Sequence, residues 1–234
     1  MPDINLVIAT AGTKFEVTDE QIKSLEAPFL ITGKRGDEDV EAAITFFQEL
    51  ATKNDVECNI EEREGEVPTL TKSTLVLCCV DRRVYHQLWH LDADIITDLG
   101  GIISLESTTT HDLIEEFAAR ALKKGNKEKP FVLTLTTHDD CAKATYDGTQ
   151  RDPKMSLAEI NDEATRLKPS LLLDSEKFPN VTKAINEEVL VPRVGHITKD
   201  KDGKFTMDES LIAPNTAFRV SLLEKAVPSL GREE

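Results

Sequence analysis

Apolar residues follow two rhythms along the chain. Thr74-Leu75-Val76-Leu77-Cys78-Cys79-Val80 is a short unbroken apolar run, the pattern of a strand buried on both faces of a parallel sheet. Ala93–Thr97, Phe131–Thr137 and Leu190–Thr198 read as further strands. In Asp37–Asn54 the apolar positions Val40, Ile44, Phe47 and Leu50-Ala51 recur instead at helical spacing, with an N-cap at Gly36-Asp37. Thr110–Lys124 also predicts a helix. Thr109 or Thr110 caps it, Asp112, Glu115 and Glu116 sit early, Lys123-Lys124 sit late, and Gly125 stops it. Ser156–Phe178 and Val181–Val189 read as helical, broken by Pro169 and Pro179, and Thr216–Ala226 as a last helix. Polar Asn59–Pro68 reads as a loop, and Lys199–Gly203 as a turn with Lys204–Met207 returning as a hairpin partner. The order strand, strand, helix, strand predicts an α/β fold, a mainly parallel β-sheet flanked by helices. We expect a single α/β domain over residues 37–234, with residues 1–36 as an N-terminal extension.

Composition narrows the partners more than the fold. Among 234 residues, 43 are Asp or Glu against 28 Lys or Arg, a formal net charge of -15. Such a surface repels phosphates and anionic lipid, so neither nucleic acid nor a membrane is expected as a partner. No apolar run approaches the ~20 residues that span a bilayer. The N-terminus carries Asp3 where a signal peptide carries basic residues, and a cytoplasmic protein is expected. Four cysteines, Cys58, Cys78, Cys79 and Cys141, are too few for a disulfide scaffold in a chain of this size. Adjacent Cys78 and Cys79 on a strand point to opposite faces, so at most one serves a given site. Cys58 and Cys78 read as small apolar residues.

The candidate chemistry lies in two clusters, Cys79-Val80-Asp81-Arg82-Arg83 and His138-Asp139-Asp140-Cys141. Cys79 ends the first buried strand, and His138 lies just past the third. Sites in open parallel sheets form outside the carboxyl ends of strands, so the clusters are expected to meet at one edge. Two thiolates and one imidazole suit Zn²⁺ and leave a fourth position for water. Thiolate charge makes that water less acidic than three imidazoles do, so a nearby carboxylate is useful. Asp81 can supply it, and Arg83 can hold Asp81 in a bidentate pair and keep it off the metal. Cys79, Asp81 and Arg83 share parity, so an extended segment would point all three one way. A plain structural ion pair is the competing reading of Asp81 and Arg83. Asp139 and Asp140 read as exposed loop charge, and Trp89 as packing.

The combination C-x-D-x-R, Gly100-Gly101 and H-x-x-C resembles the β-class carbonic anhydrases, well over Thr74–Gly148 and weakly out to Gly195 and the Lys199–Gly203 turn, where that family has a late strand and hairpin. The resemblance implies a zinc lyase that reversibly hydrates CO₂ to bicarbonate by zinc-bound hydroxide. It assigns one zinc per subunit to Cys79, His138 and Cys141, and an orienting or gating role to Asp81 and Arg83. It also implies a homodimer or higher even oligomer. The chain departs from the family pattern at Thr97–Gly101, where Arg-Asn-x-Ala-Gly is usual, and at Thr137, Ala142 and Arg82, each in place of a small residue.

Alternatives stay open on the same residues. The scaffold also serves hydrolysis of carbonyl sulfide or carbon disulfide, and a non-catalytic zinc-binding interaction or regulatory module would keep the same ligands. Thiol redox sensing is a third class, though H-x-x-C is not the dithiol C-x-x-C. Tyr85, His86, His90 and His111 are of a type that shuttles protons, but none is assigned that role, and His86, His90 and His111 read first as surface or packing residues.

Overall fold

The computed structural model describes residues 2–10, 26–63, 70–88, 91–202 and 205–206, with positions 18, 20, 21 and 24. Strands β1 (Ile4–Ala9), β2 (Phe29–Thr32) and β3 (Cys58–Arg63) form a parallel three-stranded sheet in the order β2-β1-β3. Helix α1 (Glu38–Asn54) follows β2 and buries Val40, Ala43, Ile44, Phe47 and Ala51 against it. Strands β4 (Thr74–Cys79), β5 (Asp94–Asp98), β6 (Phe131–His138), β7 (Leu190–Lys199) and β8 (Phe205–Thr206) form a second sheet in the order β5-β4-β6-β7-β8. Every pairing in it is parallel except that of β7 with β8. The remaining helices are α2 (Arg82–Leu88), α3 (Thr108–Lys124), α4 (Ala142–Arg151), α5 (Leu157–Leu167) and α6 (Pro179–Asn186). The expected α/β architecture with mainly parallel strands and flanking helices is what the structure shows.

Alternation along the central strands sets the two faces. Leu75, Leu77, Leu133 and Leu135 pack with Ile114, Phe117 and Val181 of α3 and α6. Val76 and Cys78 pack on the other side with Val84, Tyr85 and Leu88 of α2. Cys79 belongs to neither of these groups. It lies with Cys141 in the cluster that α1 and the small sheet build. The two adjacent cysteines therefore diverge as the strand period requires. The sheets meet where Leu30 N donates to Val80 O (3.2 Å) and Thr97 N donates to Thr32 Oγ1 (2.9 Å).

Some sequence expectations need correction. The polar stretch after Asn59 begins as strand β3, not as a loop. β3 is the edge strand, and only Cys58 and Ile60 turn toward the core. Its outer face is in water, so its composition reads as a loop although its backbone is laddered to β1. The Ser156–Phe178 region is helical through Leu167 and then tightens into a 3₁₀ turn over Lys168–Leu173, with Pro169 at its start. The expected helix at Thr216–Ala226 lies outside the described residues, as do Trp89 and His90.

Leu77 is fully buried between the sheet and α3. Leu77→Ala should destabilise the fold by about 2–5 kcal/mol through lost burial and the cavity left behind, measured by urea unfolding. A loss well under 1 kcal/mol would contradict the central position of β4.

Candidate metal centre

Pairing of β4 with β6 runs from Thr74↔Val132 to Leu77↔Leu135, so both strands end at the same edge. Cys79 is the last residue of β4, and His138 the last residue of β6 rather than a residue beyond it. Asp140 then takes a left-handed conformation, φ 57°, which a short polar side chain tolerates, and the chain turns so that Cys141 becomes the N-cap of α4. The ligand atoms of Cys79, His138 and Cys141 lie within 4.8 Å of one another. One ion, bonding sulfur at about 2.3 Å and nitrogen at about 2.0–2.1 Å, spans that separation with small side-chain adjustments. All three residues are buried, His138 and Cys141 to 1% exposure. Among the described residues, no other cluster of three His, Cys, Asp or Glu side chains is so arranged.

Two observations test whether this set fits a metal. His138 Nδ1 lies 2.6 Å from the Asp139 carbonyl. A carbonyl accepts only, so Nδ1 carries the proton and Nε2 presents its lone pair. That Nε2 is buried and makes no hydrogen bond of ordinary geometry; what it faces is the Cys79 sulfur, so its lone pair is aimed at the other two candidate ligands. The second observation is electrostatic. The Cys79–Cys141 hydrogen bond, aided by the Ala144 and Lys143 amides at the start of α4, holds the Cys141 thiol below its ordinary value. The same hydrogen bond and burial push the Cys79 thiol well up. Without a cation the buried pair keeps its proton on Cys79; only a cation between the sulfurs would let both ionise. The residues fit a Zn²⁺ ion.

Asp81 and Arg83 sit beside this triad, but not as an extended segment. β4 stops at Cys79, and Arg83 is already in α2. Asp81 precedes that helix and accepts the Arg83 backbone N–H at 2.9 Å, as N-cap residues do. Arg83 Nε reaches both carboxylate oxygens at 3.0 and 3.1 Å, and Nη2 reaches Oδ2 at 2.5 Å. Burial alone would raise the Asp81 pKa; the Arg83 bonds outweigh it and hold the carboxyl below the usual range. The helix turn thus brings together the pair that shared parity was expected to align.

The positions that depart from the family pattern have structural employment. Arg82 Nη1 donates to the Ala27 carbonyl at 2.8 Å, and its guanidinium lies 4.9 Å from the Phe29 ring, so it anchors the segment entering β2. The carboxylate of Asp98 accepts from the Ser107 and Thr110 hydroxyls and the Leu99 amide, which ties β5 to the start of α3. Gly101 sits at φ +60°, and a Cβ there would lie 2.5 Å from the Thr136 carbonyl and 3.2 Å from the Cys79 nitrogen. It permits close backbone approach beneath Cys79 as well as the turn. Of the proton-shuttle candidates, the Tyr85 hydroxyl donates to the Pro28 carbonyl at 2.7 Å. The His111 ring is held between Lys177 O and Asp112.

Two residues, Phe205 and His196, escaped the sequence reading, and a third, Asp139, was read only as loop charge. Phe205 of β8 is 1% exposed, edge-on to His138 with ring centroids 5.8 Å apart, and lies 5.2 Å from the Arg83 guanidinium. It covers both halves of the site. His196 of β7 hydrogen-bonds Asp139 Oδ1 (3.0 Å) and Thr137 Oγ1 (2.7 Å). Asp139 is therefore a node of a network and not loose loop charge. His196 and Asp139 line a cavity of about 620 Å³ beside α5, together with Thr137, Asp140 and Asn161. Only a strand register could have located His196, because 57 residues separate it from Asp139.

No protein-family model and no curated protein matches the chain. The described residues establish a buried Cys-His-Cys group able to hold a metal ion in an α/β protein. No helix among them is long and apolar enough to cross a membrane.

Burial raises the Asp98 pKa, against the hydrogen bonds from Ser107, Thr110 and the Leu99 amide. A raised folded value favours the neutral form, so its contribution to stability is present at low pH and is lost as pH rises through that value. Asp98→Asn stays neutral, and the hydroxyls can turn to accept from its amide. Its melting temperature relative to wild type should rise as the pH is raised from the ordinary carboxylate value of 3.8 and level off once wild-type Asp98 is ionised. A difference that falls with pH would contradict this assignment.

Proposed function

We propose that this protein is a zinc-dependent lyase that reversibly hydrates CO₂ to bicarbonate. The observation that carries the reading is the buried Cys79–His138–Cys141 group, its ligand atoms within 4.8 Å of one another, placed next to a carboxylate that Arg83 grips on both oxygens. A structural zinc site has no need of that carboxylate. When bound, zinc supplies Lewis acidity that makes water nucleophilic near neutral pH.

The chain's own groups do the rest. Two thiolates would neutralise the ion's charge and leave bound water less acidic, so its deprotonation needs help from a hydrogen-bond acceptor. Asp81 serves as that acceptor and turns a lone pair of the attacking oxygen toward the substrate carbon. Arg83 occupies both Asp81 oxygens, which keeps the carboxylate ionised and away from the ligand set. Leu99, Ala144 and Ile160 pack with Cys79 and Cys141 and give an apolar wall suited to a linear, uncharged molecule. As the new C–O bond forms, an O–H bond breaks, and the proton leaves to solvent. The resemblance of the two motifs to β-class carbonic anhydrases supports this reading, and so do β7 and β8, which form a late strand and hairpin. A cytoplasmic homodimer or higher even oligomer goes with it.

One observation favours a second substrate class. Thr97 and Asp98 are committed to Thr32, Ser107 and Thr110, so this stretch offers fewer polar groups to an oxyanion. Carbonyl sulfide or carbon disulfide would suit such a pocket.

Two variants test the proposal. Cys141→Ser should lose most of the roughly one equivalent of zinc that reconstituted wild type retains, because a catalytic site has three protein ligands. Full zinc content with full activity would remove Cys141 from the ligand set. Asp81→Asn should keep zinc while stopped-flow CO₂ hydration falls on the order of 10²-fold. Unchanged turnover would return Asp81–Arg83 to a structural ion pair. Turnover of carbonyl sulfide or carbon disulfide but not CO₂ would establish the second class, and zinc without turnover of any would establish a non-catalytic module.

A further inference from the structure

We infer that His196 is a positioning residue for the metal centre, acting on His138 through Asp139. The inference rests on the zinc reading above, and begins with the bond that sets the His138 tautomer. Nδ1 donates to the Asp139 carbonyl at 2.6 Å. That carbonyl belongs to a residue beyond the end of β6, where the regular ladder no longer holds the peptide. Its orientation depends on how Asp139 is tethered.

The tether comes from β7. Asp139 N donates to the Ile197 carbonyl at 3.1 Å. Lys199 N donates to Asp139 Oδ2 at 2.8 Å, and His196 Nε2 meets Asp139 Oδ1 at 3.0 Å. The backbone bonds pin one side of the residue, and the His196 ring pins the other. The ring is itself oriented, since its Nδ1 lies 2.7 Å from the hydroxyl of Thr137, a side chain only 1% exposed. A carboxylate accepts, so His196 donates from Nε2; in the neutral ring Nδ1 then accepts the Thr137 hydroxyl proton. The chain of contacts is Thr137, His196, Asp139, His138. Outer-shell partners of this kind fix the ring direction of a ligating histidine.

Geometry separates this role from general packing. His196 and Asp139 line the open cavity beside α5, and their side chains are 32% and 41% exposed. Removing the ring opens no hole in the core, so the fold should survive its loss. What is lost is one of the two carboxylate bonds, leaving the Asp139 peptide held only by its bonds to Ile197 O and Lys199 N and its carbonyl less tightly directed.

The test uses full-length protein reconstituted with zinc, and reads zinc affinity by competition with a chromophoric chelator. His196→Ala should weaken zinc binding about 10–100-fold while the metal-free protein melts as wild type does. His196→Gln, which keeps a donor near the Nε2 position, should recover most of that affinity. Thr137→Val should give an intermediate loss, and it provides the same readout if His196→Ala folds poorly. Cobalt-substituted protein should show an altered ligand-field spectrum for His196→Ala and a wild-type spectrum for His196→Gln. Zinc affinity within about twofold of wild type in His196→Ala would overturn the positioning role alone. Equal losses in the Ala and Gln variants, tracking a lower melting temperature, would reduce His196 to a structural residue. Wild-type protein that takes up no zinc would overturn the metal reading itself, a result visible before any variant is compared.

Discussion

The pairing of β4 with β6 as parallel neighbours governs where every group of the centre can lie. Leu77 opposite Leu135 places the ends of both strands at one sheet edge, so a cysteine and a histidine 59 positions apart converge. A parallel pair needs a long crossover. Here β5 and α3 lie between the two strands in the chain; β5 pairs with β4, and α3 packs on the leucines of both strands. A slip of one residue in this register would reverse the faces of all the side chains that follow. It would send Cys79 toward α2, where Cys78 now lies.

The edge set by that pairing is also where buried charge becomes tolerable. Cys141 opens α4, and the amides of its first turn favour a thiolate there. Asp81 opens α2 and is held by both the backbone and the side chain of Arg83. Two helix starts thus flank the strand ends, one serving a sulfur and the other a carboxylate. Phe205, arriving on the antiparallel β8, shuts out water on the side of His138 and Arg83, which strengthens each of these electrostatic contacts. The hairpin that ends the described sheet is therefore part of the centre.

Much of this was legible in the residues. Leu75–Cys79 and Phe131–Thr137 read as buried strands because both faces are covered, leaving unbroken apolar runs. The ligand trio followed from their ends. The β3 strand was not legible, because one face of an edge strand meets water and its polar residues look like a loop. Nor was the α2 start at Arg82: parity suggested an extended Cys79–Arg83, whereas the carboxylate of Asp81 caps a helix turn and reaches Arg83 from there. The His196–Asp139 bond depends on the register of β6 with β7, Thr137 opposite His196, which no local pattern encodes. Asp98 read as a departure at a substrate position, but its hydroxyl partners on α3 make it a tie between elements.

The proposed function requires one zinc ion held by two sulfurs and one imidazole nitrogen. Zinc-edge X-ray absorption on the reconstituted protein tests it most directly. Close to one zinc per chain is expected, with two sulfurs at about 2.3 Å and two nitrogen or oxygen atoms at about 2.0–2.1 Å. A shell without sulfur, or protein that retains no zinc, would contradict it.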